Sequence, residues 1–543
     1  NLNLFSLLDK KNNFQFLSHQ FENEAQLLKI KYNNSIHNIK LNLIGKVQLK
    51  NILMAIIAAI KSDISIKDIL KVIPRIKSVD GRFEKIGKIK NNSKIILDYA
   101  HTPDALKTCL KNLKEQFPGH KVSLVFGCGG NRDSNKRSKM GKIADYFSDK
   151  IYLTDDNPRL EQPSKIRKDI KKGIKKQKIL EFPNRAKAIS EAIKQLNTGE
   201  ILLVAGKGHE TIQEIGVKKI FFSDKKIILN SIKVKNLTLS NNLKVNILKE
   251  LSEQKKLSIK MSLKSARINS REVKKSDIFF AIKGKKNDGN KFIVEALKNK
   301  ASVVVVNNIQ KKINISRQIK VRDPLKFLTK SSKLYRENIK TKIIAITGSC
   351  GKTTLKELLG NSLKQISKVG VSPKSYNNKY GVPLSLFNLN QNDDYGILEI
   401  GMDKKGEIDY LSKIVQPDVS VITNINYAHA KNFRNLKQIA LAKAEIINNT
   451  KDNGFIILNA DDNFFTLHKK IVNKKSLKVL SFGIDNKNSN IKLINIKKVS
   501  NKFKVAIKVN NLKTYFFISN DFQNNILNIL AALSVMSIFL DVS

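Results

Sequence analysis

Short apolar runs alternate with amphipathic segments along most of the chain, and the alternation falls into two sets. In the first, residues 94–97, 122–126, 151–153 and 201–205 read as strands separated by helical patterns. In the second, residues 343–346, 396–400, 419–423 and 455–458 do the same. Strands and helices in alternation predict parallel sheets covered by helices, so the fold class is α/β and multidomain. A smaller α/β unit lies between the sets, with strands at 277–282 and 301–306. Residues 1–76 pass from a polar, strand-like half into apolar helices at 49–60 and 66–73, the pattern of a domain's end. The expected divisions are 1–76, 77–230, 261–338 and 339–543. Residues 231–260, rich in lysine and asparagine, are expected to hold a linker and the start of the following part, within which 243–251 can form a short helix.

Polar and glycine residues close the strands, where open α/β sheets bind ligands. The most specific case is Ala345-Ile346-Thr347-Gly348-Ser349-Cys350-Gly351-Lys352-Thr353-Thr354, an apolar strand running into a glycine turn and then a helix pattern. Backbone N–H groups and the Lys352 ammonium suit nucleotide phosphates there, and the Thr353 hydroxyl suits a magnesium ion. ATP or GTP is the expected ligand. Later strands of the same set end at Glu399, before His429, and at Asn459, Asp461 and Asp462. Each residue alone reads equally well as a cap or a surface group, but together they form an ATP and magnesium site. In the first set the strand ends differ: Arg132 and Arg159 fit carboxylates, Asn157 donates and accepts, and Glu210 can neutralise an ammonium. Such a set suits an amino acid with several charged ends, against the plain alternative of strand and helix caps.

Composition narrows the classes. With 100 Lys and Arg against 46 Asp and Glu, the net charge of the 543 residues is +54. Lysines are spread along the whole length, which fits an AT-rich coding bias better than a nucleic-acid interface, although a nucleic-acid-stimulated P-loop ATPase stays open as a rival. Cys109, Cys128 and Cys350 have no paired or metal-type spacing, which points to a reducing compartment, by default the cytoplasm. The longest apolar stretch, 526–540, is interrupted by Asn528, Ser534 and Ser537 and is too short to span a bilayer. The chain opens at Asn1 and stops at Ser543 just after an apolar helix pattern, so both ends read as cut.

With these residues in view, the chain resembles the Mur ligases, ATP-dependent amino-acid ligases of peptidoglycan precursor synthesis. Two branches follow one another. Gly81-Arg82-Phe83-Glu84, Asp98-Tyr99-Ala100-His101-Thr102-Pro103, Phe126-Gly127-Cys128-Gly129-Gly130, Asp156-Asn157-Pro158-Arg159 and Gly206-Lys207-Gly208-His209-Glu210 resemble the diaminopimelate-adding (MurE-like) branch: the end of its central domain and its whole C-terminal domain. From about residue 237, Asn269-Ser270-Arg271, Asp277 to Gly284, Asp288-Gly289, Thr347 to Thr354, Tyr376 to Pro383, Leu398 to Met402, Asn424 to His429, Ala442 to Glu445 and Asn459 to Asp462 resemble the D-alanyl-D-alanine-adding (MurF-like) branch, its N-terminal and central domains. The motif at Gly45 to Asn51 departs from the pattern, as does 522–528, which lacks the usual glycine and histidine.

The resemblance implies that Arg132, Asn157, Arg159, Gly206 and Glu210 hold the incoming amino acid, and that Arg82, Asp98 and His101 lie near nucleotide. It implies further that Ser270 and Arg271 belong to a UDP-sugar site, and that ATP is bound by Gly348, Ser349, Cys350, Gly351, Lys352, Thr353, Thr354, Asn459 and Asp461. Thr353, Glu399 and His429 would ligate Mg2+, and Lys443 would be carbamoylated; Lys352, Glu399, His429 and Lys443 make up the implied catalytic set. Meso-diaminopimelate and D-alanyl-D-alanine would be joined to UDP-N-acetylmuramoyl peptides through acyl phosphates, in a bifunctional fusion of which this chain is a part. The partners are then small molecules, with no nucleic acid and no membrane span. An inactive, truncated product is the remaining alternative.

Overall fold

A computed structural model describes residues 14–22, 24–175, 179–252, 263–284, 287–427, 432–486, 488–509, 512–519 and 525–540. The chain separates into two units, residues 1–241 and 242–543.

The first unit opens with an antiparallel sheet of Phe14–Glu22, Ala25–Tyr32 and Ser35–Leu41. Asn33 and Asn34 turn its second hairpin with φ of 46° and 65°, a left-handed backbone that asparagine tolerates. Leu28, Ile30, Ile39 and Leu41 alternate onto one face and pack on Leu49, Leu53 and Ile56 of the helix Lys46–Lys61. A six-stranded sheet follows in the order Glu84–Lys85, Lys94–Asp98, Ile201–Ala205, Val122–Phe126, Lys150–Thr154, Ile179–Phe182. Only the first of these strands runs antiparallel to its neighbour. Strand residues alternate between two cores. Ile96, Leu124 and Leu203 face the helices Pro103–Gln116, Asn135–Phe147 and Pro163–Lys171. Ile95, Leu97, Val125, Leu202 and Val204 face Arg185–Lys194 and Asp224–Thr238. The unit is therefore a doubly wound sheet with its carboxyl strand ends gathered at one edge.

In the second unit, Ala266–Arg267, Ile278–Phe280, Val303–Val306 and Gln318–Lys320 form a small parallel sheet. A larger sheet has the order Val369–Val371, Tyr395–Glu399, Lys342–Thr347, Val419–Ile422, Phe455–Asn459, Lys478–Gly483, Ile491–Val499, Lys502–Val509, Leu512–Ser519. Pairing is parallel as far as Ile491–Val499 and antiparallel beyond. The apolar helix Ile526–Phe539 buries Leu530, Ala531 and Val535 in the same core as Leu355 and Leu359 of the helix Lys352–Lys364. No helix among the described residues is long and apolar enough to cross a membrane.

Over its described part the segment 231–260 is helical, and the boundary between the two units falls inside it, after residue 241. The helix Asp224–Thr238 buries Ile228 and Ile232, and Leu243–Leu251 buries Leu243, Val245, Ile247 and Leu248, its first turn capped by the Asn242 side chain. Lysine and asparagine interleaved with the apolar positions, some of them buried themselves (Lys235, Lys244, Asn246), hid these two faces from a reading by composition. Residues 253–260 lie outside the described residues.

Candidate active sites in the two units

In the second unit the strand Lys342–Thr347 is buried along nearly its whole length and delivers Gly348 into the space beside Thr423. Gly348 has φ 146° and Gly351 has φ 80°, and a Cβ on Gly351 would stand 2.6 Å from Asn528 Oδ1. Both positions therefore require glycine. The loop is fastened from the neighbouring strand end. Ser349 N–H donates to Asn424 O (2.9 Å), Cys350 N–H to Asn424 Oδ1 (2.9 Å) and Thr423 Oγ1 to Cys350 O (2.7 Å). Thr354 then lies in the first turn of Lys352–Lys364, whose leading N–H groups have no intrahelical partner and point toward the loop.

Two ammonium groups share one carbonyl in this loop. Lys352 Nζ donates to Gly348 O (2.8 Å) and Ser349 O (3.1 Å), and Lys443 Nζ donates to the same Gly348 O (2.9 Å). Burial lowers the Lys352 ammonium's pKa, against the raising effect of Glu399. Lys443, 2% exposed at the end of the helix Leu436–Ala444, is lowered to about 7, first by burial and then by Lys352. Two cations pressed together in a partly desolvated glycine loop make a site complementary to an anion.

Glu399 closes the strand Tyr395–Glu399 and is itself buried. Thr353 Oγ1 donates to its Oε2 (2.8 Å) and Asn377 Nδ2 to its Oε1 (2.8 Å), so both carboxylate oxygens are aimed. Thr353 and Glu399 are hard oxygen donors of the kind Mg2+ takes. His429 lies outside the described residues, and among the described residues no cluster of three or more His, Cys, Asp or Glu forms a metal cage. The remaining strand-end acids hold loops. Asp461 accepts N–H bonds from Ile484, Asp485 and Asn486, and Asp462 from Ile425 and Phe464. Asn459 Oδ1 accepts from Asp461 N–H. Beside the small sheet Ser270 donates its hydroxyl to Glu295 (2.7 Å), while Arg271 is exposed on the same short turn, Ser270–Glu272.

In the first unit the strand ends bring Asn157, Lys207 and Glu210 together. Lys207 is fully buried and donates to Asn157 Oδ1 (2.9 Å) and Glu210 Oε2 (3.1 Å), with Asp156 Oδ1 at 3.9 Å. Tyr99 OH donates to Glu210 Oε1 (3.1 Å), and Arg82 lies 4.5 Å over the Tyr99 ring. Glu210, expected to neutralise an incoming ammonium, is paired here with Lys207, which with Tyr99 and Asn157 holds its pKa below the usual carboxylate range against burial. Lys207 was missed as an individual site residue, although its place between two glycines at a strand end marked it. Gly206 has φ 119°, and a Cβ there would stand 2.5 Å from Asp156 Oδ2.

Arg159 takes a left-handed φ of 50°, pairs with Glu214 (2.7 Å) and donates to Gly130 O (2.9 Å). Arg132 is exposed on the neighbouring loop, between Val122–Phe126 and Asn135–Phe147. Asp98 accepts N–H bonds from Phe83 and Ala100 (2.7 Å each), which fastens the Gly81–Glu84 turn; His101 Nδ1 meets Tyr99 O at 2.9 Å. Below this site Arg185 and Asp224, both without exposure, form a bidentate pair (2.8 and 2.6 Å), and Arg185 donates to Ala205 O (2.9 Å).

Three family models match in sequence order. Residues 81–208 match the Mur ligase glutamate ligase domain, 263–336 the Mur ligase family catalytic domain, and 346–536 the Mur ligase middle domain. The chain belongs to the Mur ligase family. The UDP-N-acetylmuramoyl-L-alanyl-D-glutamate–2,6-diaminopimelate ligase of Rickettsia montanensis is 40% identical over 231 residues, 42% of this chain and 47% of that protein. The same-named ligase of Fusobacterium nucleatum is 45% identical over 199 residues, 36% of this chain and 41% of that protein. Among solved structures, MurF from Acinetobacter baumannii is 28% identical and has a TM-score of 0.48, covering 55% of this chain and 65% of that one. This Mur ligase chain thus spans about half the length of the curated relatives it matches.

Proposed function

We propose that this Mur ligase chain carries parts of two ATP-dependent amide-forming ligases of peptidoglycan precursor synthesis, one adding meso-diaminopimelate and the next D-alanyl-D-alanine to UDP-N-acetylmuramoyl peptides. The observation that carries the reading is the pair of dissimilar sites at strand ends. One is a glycine loop with two facing ammonium groups and an aimed carboxylate; the other is a hydrogen-bonded polar cluster of Asn157, Lys207 and Glu210.

In each reaction a substrate carboxylate takes the γ-phosphoryl group of ATP, giving an acyl phosphate and ADP. An amine then attacks the acyl carbon, and inorganic phosphate leaves as the amide forms. Lys352 turns from Gly348 O to the phosphates, the helix N-terminus donates to them, and Thr353 and Glu399 stand ready as oxygen ligands. A magnesium ion held there would neutralise charge on the transferred group. Lys443, poised near neutrality, has the unprotonated amine that carbamoylation by CO2 requires, and the product is a carboxylate-like group beside the loop. In the first unit Asn157, Glu210 and the guanidinium groups of Arg132 and Arg159 receive the amino acid, with Lys207 holding the first two in register. Arg82, Asp98 and His101 flank that site on its nucleotide side. Ser270 and Arg271 serve the UDP-sugar, Arg271 by direct contact and Ser270 by fixing the turn.

The test mixes the chain with the complementary ligase domains and measures amide product. Product that requires ATP, the UDP-muramoyl peptide and the matching amine supports the reading; phosphate release indifferent to the amine contradicts it.

A further inference from the structure

The far end of the large sheet carries a surface that ligase chemistry does not use. Residues 486–520 contain eight lysines and no aspartate or glutamate. Register sorts most of these lysines onto one side. Val505, Ile507, Val509 and Ile518 turn inward to the core. On the opposite face one rung aligns Lys497, Lys504 and Phe517, and another aligns Lys492, Lys508 and Lys513. Tyr515 stands opposite Ala506, and Val499 opposite Lys502. The result is a flat patch of six lysines around two aromatic rings, and the rings are exposed rather than packed: Tyr515 is 58% and Phe517 51% accessible. Lys504 Nζ lies 4.0 Å from the Tyr515 ring centre, and the two rings meet edge to face at 6.0 Å.

We propose that this face docks on an anionic lipid bilayer. Their own stretch of chain has no carboxylate, and among the described residues no ion pair joins these six lysines to one, so the patch presents positive charge to an external anion. The patch is also amphipathic in the way an interface demands, because Tyr515 and Phe517 suit the headgroup level while lysines reach lipid phosphates. A single-stranded nucleic acid would use the rings but not Val499 or Ile494, which is 44% exposed at the bulge of the same strand. Those aliphatic groups gain only from an apolar phase.

The experiment is co-sedimentation of the whole chain with vesicles of phosphatidylglycerol mixed into phosphatidylcholine, with pure phosphatidylcholine as the neutral arm. The triple variant K497Q/K504Q/K508Q is expected to lower the partition coefficient by about 100-fold at low salt, given the attraction of each lysine near an anionic surface. Y515S/F517S is expected to weaken binding at high as well as low salt, since that part is not screened. K300Q/K311Q/K312Q removes the same charge from exposed positions elsewhere in the unit and is expected to stay within about threefold of the parent. If that control falls as far as the first triple, the binding belongs to the chain's diffuse charge and the proposal is overturned. It is equally overturned if a single-stranded oligonucleotide binds through the same lysines more tightly than the vesicles do.

Discussion

Lys443 offers the sharpest quantitative test of the phosphate-loop site. Its ammonium is buried against Gly348 O with Lys352 on the same carbonyl, and its pKa falls from 10.5 to about 7. An ordinary lysine at pH 7 is neutral in roughly three molecules per ten thousand, whereas this one is neutral in about half. The difference amounts to about 5 kcal/mol between protonation states. Carbamoylation consumes the neutral amine, so the chain in carbon-13 bicarbonate is expected to show a carbamate resonance at neutral pH that disappears in Lys443→Arg. Stability carries the same signature. Between about pH 7 and 10.5 the unfolded chain keeps a proton that folded Lys443 has released, so the Lys443 contribution to unfolding free energy rises with pH across that window. Below it both states are protonated and the burial penalty is fully felt. Lys443→Met should flatten this part of the pH dependence. A carbamate signal unchanged by Lys443→Arg, or an unfolding pH profile unchanged by Lys443→Met, would refute the reasoning.

Other substitutions test the supports of the two sites. Asn377→Ala frees one oxygen of Glu399 and should raise the Mg2+ concentration needed for nucleotide binding by about 10-fold or more while the fold persists, as read by magnesium titration. Gly348→Ala places a methyl group against Thr423 in a backbone left-handed for an L-residue, and should abolish ATP binding in calorimetry with circular dichroism unchanged. Arg185→Met leaves Asp224 charged and unpaired where neither has any exposure, and is expected to cost the first unit about 3–5 kcal/mol, seen as an earlier melting transition. Asp224→Asn in the same background should recover part of that loss.

Periodicity made the parallel sheets legible because their strands are short apolar runs closed by glycine or polar residues; Val122–Phe126 and Ile201–Ala205 coincide with the readings residue for residue. The antiparallel strands Ile491–Val499, Lys502–Val509 and Leu512–Ser519 are less legible, although Phe503, Val505, Ile507 and Val509 alternate with Lys504, Ala506 and Lys508, because abundant lysines blur the apolar face. The apolar faces of the two helices within 231–260 are diluted by lysine and asparagine in the same way. At the sites, motifs announced which residues gather but not how they pair. Nothing in the order of letters shows that Lys207 occupies Glu210, that Asp461 ties down 484–486, or that Asn377 and Thr353 divide the Glu399 carboxylate between them. Those facts depend on side chains from separate strand ends meeting in space.

The central claim is that one chain holds two separate ligase sites, and calorimetry on the whole chain tests it most directly. Mg2+–ATP and meso-diaminopimelate should each bind, Lys352→Ala abolishing only the nucleotide and Glu210→Gln weakening only the amino acid. Absence of diaminopimelate binding, or its loss on Lys352→Ala in a folded chain, would contradict the account.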